Sequence, residues 1–247
     1  MKKVIKGVLI TLGTIIGVII ILSIGFFIKM KVETSGMEPL KTGEVASGVY
    51  SIKDTYVNLY LVKAGDKYIA IDAGNDLKNI KREMKKIKVD PKKVAAVFLT
   101  HTDYDHIRGI KIFKNAKVYI SRAEEQIING KTNRFLFIGN KFPWKYSLLD
   151  DKQEINISGV KIKSILVPGH TPGSMCYLVD DKYLFTGDNI SLKEGRADLF
   201  VDFFNMDSET QRKSIKKLTL FPQVKYIFTA HHGSTDNYKK ALEKWNK

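Results

Sequence analysis

Apolar and polar positions divide the chain into two unequal parts. Val8 to Ile28 contains no charged residue over 28 − 8 + 1 = 21 positions. At about 1.5 Å per residue such a helix reaches roughly 30 Å, the thickness of a bilayer's hydrocarbon core. Lys2, Lys3 and Lys6 precede the run, and Lys29 and Lys31 follow it. A cleaved signal peptide has a shorter apolar run and a small-x-small cleavage site, whereas this run ends in Phe26-Phe27-Ile28-Lys29. Residues 1–31 are therefore expected to be an uncleaved anchor whose span, 8–28, contacts the lipid bilayer. The excess of lysine before the span places the N-terminus in the cytoplasm. The expectation is a single-pass protein of the cell membrane with an extracytoplasmic soluble domain. Residues 32–44 read as a polar linker and residues 45–247 as one domain, long enough for a large core.

Within that domain, short apolar runs bounded by turn residues predict strands at Val57–Val62, Tyr68–Asp72, Val94–Thr100, Val118–Ser121, Val160–Val167, Met175–Val179, Tyr183–Thr186 and Val224–Thr229. Helical patterns fall between them: Leu77–Ile87 behind an Asp76 cap, a short Ala123–Asn129, a helix from Glu209 to Leu220, and Tyr238–Trp245. Ser208 and Gln211 stand at capping-box spacing before the third. Early hairpins followed by alternating strands and helices predict an α/β layered fold, with helices outside facing sheets.

Composition narrows the reading. With 44% hydrophobic and 27% charged residues, the chain is ordinary for a globular protein, which excludes wholesale disorder and collagen-like arrays. Its one cysteine, Cys176, excludes an internal disulfide and any C-x-x-C site. The net charge is +15, of which residues 1–50 contribute +3 (six Lys, three Glu), leaving 15 − 3 = +12 for the rest. Excess cations favour anionic partners but do not fix a function.

The candidate chemistry lies at strand ends. All five histidines, His101, His106, His170, His231 and His232, follow a predicted apolar strand or sit in the loop leaving it, where a rigid scaffold presents functional groups. The densest cluster is His101-Thr-Asp103-Tyr-Asp105-His106. In an extended segment residues two apart share a face, so His101, Asp103 and Asp105 are expected to point together, with His106 at the following turn. Two imidazoles and two carboxylates in six residues suit one or two divalent transition metals. Pro168-Gly-His170-Thr-Pro-Gly-Ser174, Gly187-Asp188 and Ala230-His231-His232-Gly-Ser234 end three further strands.

Together these motifs resemble the metallo-β-lactamase-fold hydrolase superfamily, and most its glyoxalase II-like branch. The family pattern H-x-H-x-D-H, G-H-T-P-G-S, G-D and a late histidine corresponds here to His101-x-Asp103-x-Asp105-His106, His170, Asp188 and His231. Ile69-Ala-Ile-Asp72-Ala-Gly74 resembles the family's I-D-x-G turn, and Gly195-Arg196-Ala-Asp198-Leu199 its G-R-x-D-L segment. The resemblance covers Val45 to Ser234 and implies an αββα sandwich with the metal site between the sheet edges. It implies one metal on His101, Asp103 and His170 and a second on Asp105, His106 and His231, with Asp188 bridging. It further implies a metal-activated hydroxide attacking a small-molecule substrate, and Asp105 as the catalytic residue that orients it and passes a proton. Ala230 favours His231 as the ligand, and leaves His232 as a supporting residue or the alternative ligand.

Two features depart from the pattern. The family's second histidine is Asp103, and the first glycine of D-H-x-G-G is Arg108. A carboxylate hardens the first position, so Mn2+ or Fe stand beside Zn2+ as the two divalent ions. Flavodiiron proteins also place a carboxylate there, and the DNA-uptake channel family shares H-x-D-x-D-H and H-H-G-S. The leading expectation is a membrane-anchored metallo-hydrolase of an ester, thioester or lactone. The alternatives are a phosphodiesterase or nuclease with the same dinuclear site, a diiron redox protein, and a metal-binding protein without turnover. Nucleic acid is the less favoured partner, because aromatics do not interleave with the basic residues.

Other features take blander readings. Arg196 and Asp198 are expected to pair under the site, Cys176 to be a small buried apolar residue, and Lys81–Lys93 to be a solvated face. Tyr104 is expected to line the pocket or cover its loop. Phe135–Leu149 and Phe200–Phe204 are expected to pack in the core rather than to rim a substrate site.

Overall fold

A computed structural model describes residues 2–135 and 139–246. The chain forms two units, Met1–Gly36 and Met37–Lys247. The first is the helix α1, Lys2–Thr34, which continues three residues beyond the expected anchor. It is long and apolar enough to cross a membrane. Leu9, Ile15, Ile21 and Phe27, spread around the helix, are all exposed. Its hydroxyls are satisfied within the helix: Thr11, Thr14 and Ser23 each donate to the carbonyl four residues earlier, at 3.1, 3.0 and 2.8 Å.

In the second unit, β1 (Gly43–Ala46), β2 (Val49–Asp54), β3 (Val57–Ala64) and β4 (Lys67–Ile71) form an antiparallel meander. Helix α2 (Leu77–Lys86) returns the chain so that β5 (Val94–Phe98) lies parallel to β4. The short α3 (Tyr104–Ile107) precedes β6 (Lys117–Ser121), α4 (Glu125–Ile128) and β7 (Ser147–Leu149), which complete a seven-stranded sheet in sequence order. The second sheet takes β8 (Glu154–Ile157), β9 (Val160–Leu166), β10 (Met175–Val179) and β11 (Tyr183–Phe185). A separate hairpin, β12 (Ile190–Lys193) and β13 (Arg196–Leu199), and α5 (Ser208–Ser214) intervene. Then β14 (Tyr226–Phe228) joins β11 in parallel, β15 (Ser234–Thr235) adds an edge, and α6 (Tyr238–Leu242) follows.

Alternation along the strands builds the layers. Tyr60 and Val62 of β3, Phe98 of β5, and Met175, Tyr177 and Val179 of β10 share one buried cluster between the sheets. The intervening Leu59 and Leu61 pack outward under Ile80 and Met84 of α2. Cys176 and Leu178 pack outward against Ile215, Leu218 and Leu242. Helices on the outer faces of two facing sheets make the αββα sandwich that the sequence predicts. Bonds between the sheets pin the strand ends together: Tyr60 Oη donates to Thr229 O at 2.6 Å, Tyr177 Oη to Leu99 O at 2.7 Å, and Met175 N to Thr100 O at 2.8 Å.

Several local expectations change. Strand β2 escapes the hydrophobic pattern because its Ser51 and Asp54 are polar yet buried. Ser51 donates to Lys41 O, and Asp54 accepts from the amides of Asn75 and Asp76 ahead of α2. Asp76 caps α2 as expected. Asp207, not Ser208, caps α5, accepting from Thr210 N at 2.9 Å, and Ile215–Leu220 tightens into a 3-10 helix. Arg196 and Asp198 do not pair with each other: both reach the 3-10 turn that follows α6, where Arg196 bonds Glu243 and Asp198 bonds Lys244. Cys176 is fully buried. Phe142 and Trp144 pack partly buried against the α2-side cluster, while Leu136, Phe137 and Ile138 lie outside the described residues.

Gly109 follows α3 where the chain passes the β4 turn. A Cβ there would stand 1.8 Å from Ala73 O, and both Ala73 N and Gly109 N bond across this contact. Gly109→Ala should destabilise the domain by more than about 4 kcal/mol, read as a fall in the urea midpoint; an unchanged midpoint would disprove the close approach.

Candidate metal centre

Four strand ends meet at one edge of the sandwich. The loop after β5 brings His101 and Asp103, and α3 brings Asp105 and His106. The β9–β10 turn brings His170, the loop after β11 brings Asp188, and the loop after β14 brings His231. The extended spacing expected for the first cluster holds only to Asp103. His106 N bonds back to Asp103 O at 2.9 Å, so Asp105 and His106 reach the site from the turn of α3. Gly187 permits the next approach, since its φ is +53° and a Cβ would fall 2.4 Å from Thr100 Oγ1.

The donor atoms fall into triads. His101, Asp103 and His170 form one, and Asp105, His106 and His231 another, each with its atoms within 4.8 Å of one another. In the first, His101 Nε2 lies 3.5 Å from Asp103 Oδ2 and 3.2 Å from His170 Nε2, and His170 Nε2 lies 3.3 Å from Asp103 Oδ2. In the second, Asp105 Oδ2 lies 3.7 Å from His106 Nε2 and 3.5 Å from His231 Nε2. Asp188 faces both. Its Oδ2 is 3.8 Å from His101 Nε2 and 3.6 Å from His170 Nε2, while its Oδ1 is 3.5 Å from His106 Nε2 and 3.3 Å from His231 Nε2. Bonds of 2.0–2.1 Å at tetrahedral angles separate donor atoms by about 3.3 Å, so both triads fit a small divalent ion. His106 Nε2 and Asp188 Oδ1 are buried with no hydrogen-bond partner, and a cation would satisfy both. The structure thus brings together seven predicted residues: His101, Asp103, Asp105, His106, His170, Asp188 and His231. His232 stands outside both triads.

A supporting layer fixes the rings. His106 Nδ1 donates to Asp72 Oδ2 at 2.9 Å and His231 Nδ1 to Tyr56 O at 2.7 Å. His101 Nδ1 lies 3.0 Å from Thr100 Oγ1, which itself donates to Asp72. His170 Nδ1 lies 3.2 Å from Asn205 Oδ1. Each contact leaves an Nε2 lone pair directed into the cluster. Buried Glu124 ties two loops together, accepting from Thr102 N, Thr102 Oγ1 and Thr171 Oγ1 at 2.9, 2.8 and 2.7 Å.

Electrostatics follow from packing charge away from water. Burial opposes ionisation of Asp188, but the neighbouring His231 and His106 outweigh it and hold the carboxyl well below its usual range. Burial likewise opposes the charge on Asp103, and the neighbouring His101, His170 and Arg134 overcome it, holding the carboxyl well below its usual range. Against burial, the carboxylates of Asp188, Asp105 and Asp72 push His106 up. His232 moves the other way, down to about 4, through burial and then the adjacent His231.

In the sequence Asp72 stands only as part of a turn, and Arg134, Asn140, Asn205 and Tyr56 belong to no motif. Asp72 ends an apolar strand, a signal that could have found it. Tyr56 acts through its carbonyl, which no residue type betrays. Phe200, expected in the core, packs its ring 5.2 Å from that of His170 and 5.5 Å from that of His231.

The profile of the metallo-beta-lactamase superfamily matches residues 52–231, and the chain belongs to that superfamily. A probable metallo-hydrolase of Methanocaldococcus jannaschii is 30% identical over 168 residues, 68% of this chain and 70% of its own. A probable polyketide biosynthesis zinc-dependent hydrolase of Bacillus velezensis is 32% identical over 125 residues, 49% of each chain, so the chain spans about half the length of that relative. Among solved structures, a metallo-β-lactamase of Cronobacter sakazakii superposes with a TM-score of 0.60 at 23% identity, covering 81% of this chain and 76% of that one. At such identity the likeness concerns the fold.

Asp72→Asn tests the supporting layer. Asparagine tolerates the φ of +61° at this position but withdraws the charge behind His106. Affinity for zinc, measured by chelator competition, should fall about 10-fold; unchanged affinity would remove Asp72 from the metal centre.

Proposed function

We propose that the domain is a metal-dependent hydrolase of an ester, thioester or lactone, tethered to a membrane by α1. The observation that carries the reading is the placement of Asp188, a buried carboxylate with one oxygen toward each triad. His101, Asp103 and His170 would hold one divalent cation, and Asp105, His106 and His231 a second, with Asp188 shared. Zinc is the first candidate, since a relative is named a zinc-dependent hydrolase and imidazole suits that ion.

When bound, the cation supplies Lewis acidity, which makes a water acidic enough to attack at neutral pH. The chain's own groups do the rest. Asp105 is the more solvent-facing carboxylate, its side chain 20% exposed against 6% for Asp188. It accepts no hydrogen bond among the described residues, so it is placed to orient the attacking water and pass its proton to the leaving group. Tyr56 stacks on His231 with ring centres 5.9 Å apart and, half exposed, offers an apolar wall to an acyl chain. No serine or cysteine nucleophile is needed: Cys176 faces the helix layer, and burial pushes its thiol up.

Acyl p-nitrophenyl esters and bis-p-nitrophenyl phosphate, assayed side by side, test the chemistry. Ester turnover should dominate and require added metal; phosphodiester turnover alone would overturn the acyl reading. Asp188→Ala should lose bound metal and at least about 100-fold in kcat/KM, with full activity refuting the shared role. For the tether, the whole chain should remain with membranes through an alkaline carbonate wash and a chain starting at Met37 should not; release of both would disprove it.

A further inference from the structure

Arg134 is nearly enclosed, its side chain 2% exposed, and its bonds converge on the first triad. Nε donates to Asp103 Oδ1 at 2.8 Å and lies 3.0 Å from Oδ2. Nη2 lies 2.7 Å from Asp103 Oδ2, 3.2 Å from His170 Nε2 and 2.7 Å from Phe204 O. Asn140 Nδ2 adds a bond to Asp103 Oδ1 at 3.0 Å.

Three of these contacts reach two donor atoms of the triad itself, Asp103 Oδ2 and His170 Nε2. The His170 tautomer is settled by its other side. Asn205 Nδ2 faces three acceptors, Phe200 O, Ser208 Oγ and Gln211 Oε1, so Asn205 Oδ1 faces His170 and takes its Nδ1 hydrogen. His170 Nε2 therefore carries a lone pair, and an imidazole nitrogen has only one to give. While Nη2 donates to it, it cannot bind a cation. Asp103 is engaged by the fork of the guanidinium at the same time, a geometry that strengthens charge-assisted bonds. The second triad is different: no arginine or lysine bonds Asp105, His106, Asp188 or His231 among the described residues. The two triads are matched in donor spacing and unmatched in competing charge.

We propose that Arg134 is a built-in competitor for the first cation position. The protein then takes one divalent cation at Asp105, His106, His231 and Asp188 far more tightly than another at His101, Asp103 and His170. Nη2 has two hydrogens for three acceptors, and the 3.2 Å contact to His170 is the weakest, so it is the one a second cation breaks. Arg134 keeps Phe204 O and the outer side of Asp103, and its charge continues to oppose the incoming ion. The proposal rests on the metal-dependent reading above and adds an order of filling to it.

Titration of the metal-free full chain in detergent with zinc, by calorimetry and by metal analysis after desalting, tests it. The wild type should show a first equivalent at least about 100-fold tighter than the second, the scale of one lost charge-assisted bond and its geometry. Arg134→Met, which keeps the aliphatic stem, should bring the two within about 10-fold and retain close to two ions per chain. The Arg134 Nε–H proton resonance, assigned by its loss in that variant, should move with the second equivalent and not the first. This readout needs no folded variant beyond the assignment, and stepwise affinities in the wild type stand without it. Two equal, tight sites in the wild type would overturn the proposal and leave the hydrolase reading intact. An Arg134 resonance that moves with the first equivalent would also overturn it. Binding of no zinc by either protein would overturn both.

Discussion

The structure turns on one electrostatic constraint: Asp188 is a carboxylate withdrawn from water at the junction of two sheets. An unpaired charge in such a place is strongly disfavoured, and no lysine or arginine pairs with it among the described residues. Four imidazole nitrogens lie within 3.8 Å of its two oxygens, two to each. Imidazoles can answer the charge in two ways. They can take up protons, as the raised His106 and His231 show in the protein alone, or they can stay neutral and share a cation with the carboxylate. The supporting layer serves either answer, because Asp72, the Tyr56 carbonyl and Asn205 each take the Nδ1 hydrogen and aim Nε2 at the carboxylate, where a cation can take the place of its proton.

That layer explains why the fold must be a sandwich of two sheets rather than one. Asp72 and His101 come from the first sheet, His170, Asp188 and His231 from the second. A mismatch of about 1 Å between the sheets would open every donor spacing that crosses them, such as His101–His170 and His106–Asp188, and the triads leave little room for it. The inter-sheet bonds of Tyr60, Tyr177 and Met175 are made from core residues to backbone carbonyls at Thr229, Leu99 and Thr100, one or two residues from His231 or His101. Core packing and site geometry are thus the same constraint, expressed once as apolar burial and once as hydrogen bonds at the strand ends.

How much of this was legible in the sequence varies by residue. The apolar runs of β5, β9, β11 and β14 announce strands, and the histidines and aspartates that follow them announce a polar cluster that an apolar strand could not otherwise end in. The αββα layering followed from those runs and from the family resemblance. Strand β2 was not legible, because Ser51 and Asp54 are buried by partners 10 and 21 residues away in sequence. The continuation of His101–Asp103 into α3 was not legible either: period-two reasoning assumes that an extended segment stays extended, and the Asp103 carbonyl ends it. Arg134 gave no signal at all. It lies in a polar loop with no periodicity, and only the tertiary fold brings it 31 residues back to Asp103.

The Asp103–Arg134 pair also bears on the departure of this chain from the family pattern. A carboxylate where a neutral histidine is expected adds one negative charge to a cluster that already holds Asp72, Asp105 and Asp188. The guanidinium returns that charge locally, through two bonds to the same carboxylate, so substitution and compensation are coupled. A lysine would neutralise the charge but not fork across both oxygens, and it would not reach His170 with the same group. What distinguishes the two triads is therefore less the identity of one ligand than its company: Asp103 has a guanidinium bonded to it, whereas Asp105 and Asp188 have only imidazoles facing them among the described residues.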